Sequence, residues 1–489
     1  MGLFDIFSRP THKASTAPRA VRARFDAAES QDDRRHWANA DWFSMDGALT
    51  PVVRRTLRNR ARYERNNNSY LAGICETLAH DLIGTGPRLQ LDTGDQAADR
   101  VIEKAFFEWT WHVDLAGKLR TMRQSKLIDG ESFAMFFTNP RLDGVQLDVR
   151  LIESEMVATP IGMLIPNTTP EGSIVDGLEF DEVGNVIAYK VLKYHPGSNY
   201  RVSNFEFNRV DAENMVHWFT RQRPAQHRGV SEVAPAIRLF AQLRRYTDAV
   251  IAAAETAADF AAFLHTNSPA AEVDDVDAFA EMPIEKRSLV TLPEGWDVSQ
   301  LKAEQPTANF GEFRRNILNE IARCLQIPYN IAALDSSSYN YASGRMDHQI
   351  YSATQRVQRD ELERLVLDRL LRAWLDEAVL LGVVPSGLPP MSEWQWAWVW
   401  DGKEHVDPSK EAEAAKTRLQ MHTTTLAHEY AKQGKNWEAE LRQRAAELSL
   451  MKELGLFTEL NPESFGEVDN SSQKSPPPSQ PVDPAEVDA

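Results

Sequence analysis

From Ala236 to Leu264 the chain runs 29 residues without a glycine or a proline, and ten of them are alanine. Alanine loses no side-chain entropy on entering a helix, and nothing in the stretch interrupts the backbone ladder, so a helix is the expected form. At full length it would span about 43 Å, more than the width of a small domain. Small side chains on more than one face let neighbouring helices approach closely, which suits packing against further copies of the same chain. Burial inside the subunit is the other reading. A second stretch, Met346 to Leu381, has no proline before Pro385 and predicts a helix of about 54 Å.

Two helices of that length need other material to hold them, and 489 residues predict two to four subdomains. Lys and Arg number 54 against 71 Asp and Glu, a net charge of −17. That balance argues against a surface that grips nucleic acid through many phosphate contacts. The charge is polarised: the first 65 residues hold 13 basic and 8 acidic side chains, net +5, which leaves net −22 for the rest. Residues 8–35, rich in Pro, Ser, Thr, Ala and Arg without steady periodicity, predict a mobile arm. Met1 to Phe7 is apolar apart from Asp5 and is not followed by a long hydrophobic region, so no signal peptide is expected. Even the stretch 249–264 is broken by Glu255 and Asp259, short of the roughly 18–20 apolar residues of a membrane helix. Cys75 and Cys324 stand in no metal or redox spacing and predict two buried, reduced thiols in a cytosolic setting.

Thr50-Pro51 reads as an N-cap followed by proline at the first helical position, opening a helix to about Tyr63. That helix carries Arg54, Arg55, Arg58, Arg60 and Arg62. They form either a solvated face or a patch for nucleic acid or an acidic neighbouring subunit. A further helix is expected from Leu71 to Ile83, then a strand at Arg88 to Asp92. Between about 130 and 220, alternating runs at Phe133–Phe137, Val145–Leu151, Val186–Leu192 and Met215–Phe219 predict strands bounded by Asn-Pro and Asp-Gly turns. Two short strands are expected at Ser288–Leu292 and Trp296–Leu301, and a helix at Phe310–Gln326. Trp394, Trp396, Trp398 and Trp400 alternate strictly, which places four indoles on one face of a strand. Packing against the helices expected at about 409–431 and 437–453 is favoured over a ladder for stacking bases.

Catalytic motifs are scarce. The Gly-Lys dipeptides at 117, 402 and 434 lack Walker A spacing, and no Gly-x-Ser-x-Gly, HExxH, CxxC or EF-hand pattern occurs. Gly84-Thr85-Gly86-Pro87 falls short of a dinucleotide fingerprint, because Pro87 bars a helix start with free N–H groups. Asp129-Gly130-Glu131 could pair carboxylates, and His217 and His227 flank an Arg-rich segment. An acid/base or metal-dependent nuclease site can be drawn from them. The structural reading is a turn into a strand at Asp129-Gly130 and a half-buried His217.

Several segments in one order resemble the lambda-type family of phage portal proteins. They are Arg58-Asn59-Arg60-Ala61-Arg62, Ile83-Gly84-Thr85-Gly86-Pro87-Arg88-Leu89-Gln90, Asp129-Gly130-Glu131, Leu151-Ile152-Glu153 and Gly177-Leu178-Glu179-Phe180-Asp181. Val216-His217-Trp218-Phe219 follows, then Arg221 to Gly229, Ile327-Pro328-Tyr329, Tyr339 to Arg345 and Asp407-Pro408-Ser409-Lys410-Glu411. The sequence departs from the family's usual pattern at Ala225, at Ser231 and at Gly344-Arg345-Met346. Gly344 favours a helix that starts after it.

The resemblance implies an α+β, portal-type fold with a mixed wing, a long-helix stem, a small clip and a helical crown, assembled as a ring, usually of twelve subunits. Carried onto this chain, it implies an arm at 1–40, wing at 41–234, first stem helix at 235–265 and clip at 266–305. The second stem helix falls at 306–328, the channel loop region at 329–345, and the long wing helix with its connector at 346–394. The crown falls at 395–455 and a disordered tail at 456–489. Implied partners are other copies of the chain, the terminase large subunit, a head-tail adaptor, the major capsid or scaffold protein, and double-stranded DNA without sequence preference. No membrane, cofactor or catalysis is implied. Asn340, Tyr341 and Arg345 are expected to line the channel, and Asp274, Asp275, Asp277 and Glu281 to dock terminase or adaptor. A capsid-associated scaffold protein is the alternative.

Overall fold

The computed structural model describes residue 40 and residues 42–159, 174–198, 206–258, 262–266, 296–300, 310–402 and 408–456. The predicted arm, the acidic segment Asp274 to Glu281, the predicted strand 288–292 and the predicted tail from 457 onward lie outside them. The chain divides into two units and passes between them several times: residues 1–73, 125–133 and 152–339 form unit 1, and the remainder unit 2. Among the described residues no helix is long and apolar enough to cross a membrane.

Unit 1 begins with the helix Pro51–Asn67, capped as its sequence predicts by Thr50, whose hydroxyl accepts from the Val53 N–H. A four-stranded antiparallel sheet follows, ordered Ile174–Val175, Leu178–Phe180, Val186–Leu192 and Phe207–Asp211. Met215–Phe219 is a further strand of this unit. The Ala-rich stretch is a helix from Ile237 to Ala258, and Ala262–Thr266 is a strand paired antiparallel with Trp296–Gln300. The predicted end at Leu264 is therefore corrected: Phe263 and Leu264 sit in an extended ladder.

The buried side chains of that helix come from its first half and middle: Ile237, Phe240, Leu243 and Val250. Ala249 and Ala252 are exposed, and Ile251 is 51% exposed. Burial inside the subunit thus accounts for Ile237, Phe240, Leu243 and Val250 and not for Ala249, Ile251 or Ala252. The helix Phe310–Cys324 buries Ile317, Leu318, Ile321 and Ala322, a stripe at helical spacing. It ends two residues earlier than expected, and Gln326 takes a left-handed φ of 58° before Pro328 caps the short helix Tyr329–Ala333.

Unit 2 pairs Arg88–Asp92 with Gln395–Val399 in an antiparallel ribbon, Leu91 opposite Trp396 and Leu89 opposite Trp398. Two helices with no counterpart among the predicted elements, Gln96–His112 and most of Leu115–Asp129, follow the first strand. Asp95 caps the first through the Ala97 and Ala98 N–H groups. Most of Glu131–Thr138 and of Leu147–Ile152 are further strands of this unit. Phe106, Trp109, Trp374 and Trp398 form the aromatic centre, with Phe106 edge-on to Trp374 at 5.2 Å between ring centroids.

The long helix starts at Tyr341 rather than Met346. Asn340 is its N-cap: its side-chain oxygen accepts from the Ser343 N–H at 2.8 Å, and Ser343 Oγ accepts from the Asn340 N–H at 3.2 Å. That reciprocal cap holds the first turn closed around Gly344. The helix runs to Leu362, widens into a π turn at Glu363–Leu367 and continues as Asp368–Leu380. The indoles meet this helix instead of the helices after them. Trp396 and Trp398 both donate to Asp368 Oδ1, at 2.9 and 3.0 Å, and Trp400 donates to Glu363 at 2.6 Å. The expected helix 409–431 is two, Pro408–Gln420 and Leu426–Lys432, with Thr425 capping the second. Cys75 is buried as expected and Cys324 is half-buried.

Candidate functional site

The turn Asp129-Gly130-Glu131 lies at the centre of a charged cluster in unit 1. Gly130 has φ of 91°, and a Cβ there would collide with the backbone of Val230 and Ser231. A Cβ at Gly229 would collide with the Gly130 carbonyl. The two glycines let the two backbones cross at contact distance, and the crossing brings Glu131 to Arg228.

Glu131 is 0% exposed and Arg228 1%. Arg228 donates to the carboxylate through Nη2 at 2.6 Å and Nε at 2.9 Å, and the Gly229 N–H donates at 2.9 Å. His217 Nε2 lies 3.0 Å from it, and Arg58 Nη2 3.4 Å. Burial, the largest influence on Glu131, acts to raise its pKa. The Arg228 charge and the hydrogen bonds from His217 and Arg228 together outweigh burial and hold the carboxyl well below the usual range. Burial lowers His217 against the pull of Glu131, so a neutral ring donates its Nε2 proton. That ring stacks between Phe133 and Phe219, 4.2 and 4.4 Å between centroids. The remaining Arg228 nitrogen, Nη1, donates to the Val157 carbonyl at 2.9 Å and the Asp176 carbonyl at 2.6 Å.

The helix Pro51–Asn67 lays three arginines over this centre. Arg54, Arg58 and Arg62 stand four residues apart and share a face. Arg54 pairs with Asp176, and Arg58 reaches Glu155 at 3.3 Å. Arg62 clamps Asp129 with two bonds of 2.7 Å and reaches Glu155 at 2.8 Å. Neither a solvated face nor a patch for phosphate or a neighbour describes these three: Arg54 and Arg58 are buried, and all three pair within unit 1. Only Arg55 and Arg60 are exposed. The signal that separates the two sets is the four-residue spacing.

The same geometry removes the basis for a metal-dependent nuclease at Asp129 and Glu131. Both oxygens of Asp129 accept from Arg62, and Glu131 is surrounded by Arg228, Arg58, His217 and a backbone N–H. A divalent cation there would have to displace guanidinium groups. Glu153, Glu155 and His195 bring their ligand atoms within 4.8 Å of one another, but Arg62 already neutralises this group. His195 Nδ1 accepts from the Gly197 N–H at 3.0 Å, so the neutral ring carries its proton on Nε2 and offers no lone pair there. His227 holds Asp46 at 2.6 Å and belongs to a separate contact.

The buried pair gives a pH dependence with a definite sign. His217 has a folded pKa below its ordinary 6.5, so as pH falls through that value the unfolded chain takes up a proton that the folded chain refuses. Glu131 is also depressed: its contribution is complete above about 4.5 and is lost as pH falls through the folded value. Thermal melts are expected to show a falling midpoint from pH 7 to pH 4. His217→Gln, which keeps a donor toward Glu131, should remove the upper part of that fall. A wild-type midpoint that stays level from pH 7 to 5 would overturn the assignment.

Of the expected channel residues, Asn340 has its side-chain oxygen committed to the helix cap. Tyr341 and Arg345 follow on the first turns, four residues apart on one face, and both are exposed. The Lys410 ammonium lies 5.6 Å from the Tyr341 ring. The expected docking residues Asp274, Asp275, Asp277 and Glu281 are outside the described residues.

A family model described as phage portal protein, lambda family, matches residues 33–359. The chain belongs to that family. Within the portal family's matched region lie the Glu131 cluster and the start of the long helix. A probable portal protein of Halomonas phage phiHAP-1 is 26% identical over 433 residues, 82% of this chain and 81% of the relative. Among solved structures, a chain from the neck of a native gene transfer agent particle is similar with a TM-score of 0.40 at 13% identity. The similarity covers 77% of this chain and 91% of that one. An HK97 family phage portal protein from Corynebacterium diphtheriae gives 0.27 at 11% identity, over 75% and 97%.

Proposed function

We propose that this portal protein forms the ring at one capsid vertex through which double-stranded DNA is packaged and later leaves, acting as a conduit without catalysis of its own. The family match over residues 33–359 carries this reading. Twelve subunits are the number the family resemblance implies. Ala249 and Ala252 on the helix Ile237–Ala258 support it, since small side chains left in water by one subunit suit close packing against the next. With no nucleotide-binding motif of its own, the ring takes its motive force from a terminase. Docking of terminase or adaptor is assigned to Asp274, Asp275, Asp277 and Glu281, while capsid or scaffold protein holds the rim. Assembly takes place in the host cytoplasm before the ring joins the virion.

Charge supplies the logic of the channel. Each copy carries −17, and a passage lined with much of that charge repels phosphate and keeps DNA sliding. Tyr341 and Arg345, placed by the Asn340 cap, then make the few contacts that steady DNA between strokes, without reading its sequence. Electron microscopy of the purified protein should show rings with a central hole. Replacing Asn340, Tyr341 and Arg345 together should leave the rings intact and lower packaging or retention of DNA. Solid particles or open sheets would sink the ring, and normal packaging with all three replaced would sink the channel assignment. Charge reversal of the four acidic residues should weaken terminase binding to intact rings; unchanged binding would remove that docking site.

A further inference from the structure

One motif of the sequence has no part in the portal reading: the segment Gly2–Phe7, in which Leu3, Phe4, Ile6 and Phe7 surround the single acid Asp5. In unit 1 the helices Ile237–Ala258 and Phe310–Cys324 border an open cleft of about 440 Å³ lined by Gln242, Arg245, Tyr246 and Phe313. Tyr246 and Phe313 meet at 4.6 Å between ring centroids, and Phe313 is nevertheless 45% exposed. Arg245 stands beside them, exposed and without an ion pair to any described residue. We propose that the segment Gly2–Phe7 of the same chain docks in this cleft, its apolar side chains against Tyr246 and Phe313 and its Asp5 carboxylate against Arg245.

Size, charge and reach point to this occupant. A volume in this range takes a few large side chains, the load of a short peptide, whereas a helix from a second copy needs a long groove. One acid set among apolar residues matches one cation beside two aromatic rings. The root of the N-terminal segment is fixed in the same unit, since Arg223 donates to the Phe43 carbonyl at 3.1 Å and His227 holds Asp46. A random coil as long as the 34 residues between Phe7 and Trp42 has a root-mean-square reach of roughly 30 Å. Tethering at that length supplies an effective concentration on the order of millimolar, so weak apolar contacts suffice.

The test uses the full-length protein with p-benzoylphenylalanine in place of Phe313, irradiated and digested with trypsin. The expected adduct is to the peptide of residues 1–13, which trypsin releases after Lys13 because Arg9 precedes Pro10. Phe4→Ser with Phe7→Ser should lower its yield roughly tenfold or more. Asp5→Arg, which adds a cleavage after position 5 so that adducts to 1–5 and 6–13 are summed, should lower the total roughly threefold, and Arg245→Asp in that background should restore it. Adducts to any other part of the chain, or a yield indifferent to the charge swap, would overturn the docking. Mixing 14N- and 15N-labelled protein before assembly completes the test, because an adduct joining the two labels overturns the assignment to the same chain. None of these readouts depends on ring closure, which electron microscopy reports separately.

Discussion

Glu131→Ala is expected to destabilise unit 1 by about 3 kcal/mol, the lower end of the cost of removing one partner from a buried ion pair, because Arg228 keeps the Asp176 carboxylate at 3.1 Å. Arg228 would keep the carbonyls of Val157, Asp176 and Ser154 and lose the carboxylate that takes its Nη2 and Nε. The Gly229 N–H and His217 would lose their acceptor at the same stroke. Glu131→Gln is expected to cost less than the alanine change, since an amide oxygen still accepts one or two of these bonds. Replacing both partners, Glu131→Leu with Arg228→Met, should recover much of the loss, because the two charges leave together while Arg58 keeps Glu155 and Asp176 keeps Arg54. Urea unfolding followed by circular dichroism measures all four. A double variant as unstable as Glu131→Ala would show that the cluster acts through something other than its charges.

Trp374→Ala is expected to cost about 3–5 kcal/mol in unit 2, the range for emptying a large aromatic site in a packed interior. The side chain is 1% exposed, edge-on to Phe106 and 6.4 Å from Trp109. Its indole Nε1 is buried without a hydrogen-bond partner among the described residues. That unpaired N–H separates two effects. Trp374→Phe loses some volume and also removes a desolvated donor that costs about 1–3 kcal/mol to bury. The phenylalanine variant should therefore fall within about 1 kcal/mol of wild type. Equal losses for Phe and Ala would mean that the indole nitrogen is stabilising.

These two sites differ in how far the sequence discloses them. Thr50-Pro51 and the turn at Gly130 are read correctly because the signal is local: one cap, one proline, one residue that must take a positive φ. The strands Arg88–Asp92 and Val186–Leu192 follow from alternation, again a local property. The role of Arg54, Arg58 and Arg62 is hidden in the sequence because their acidic partners lie about 70 to 120 positions away and come together through the backbone crossing at Gly130 and Gly229. The four-residue spacing was visible; what it faced was not. Alternation places Trp396 and Trp398 on the strand Gln395–Val399 and leaves Trp394 and Trp400 just outside its two ends; it says nothing about which neighbour lies opposite, which is the helix before them. The helix Gln96–His112 was open to reading, with Asp95 as a cap and Ala98, Ile102, Phe106 and Trp109 at helical intervals. The early start at Tyr341 was obscured by Gly344, whose poor propensity is outweighed by the reciprocal cap between Asn340 and Ser343. The family itself was legible from the order of short motifs.

The π turn at Glu363–Leu367 sets a rotational phase. An α-helix advances 100° per residue, so one residue inserted into a turn rotates everything beyond it by about that angle relative to an uninterrupted helix. Before the turn, Met346, Ile350 and Val357 form an apolar line that is exposed, and beyond it Leu370, Leu371, Trp374 and Leu375 are buried. With a regular helix the second set would be turned by more than a quarter of a circle, and Asp368 would leave the two indoles that share its oxygen. The π turn thus works as an indexing step, letting one continuous rod offer an outward line at one end and a core face at the other.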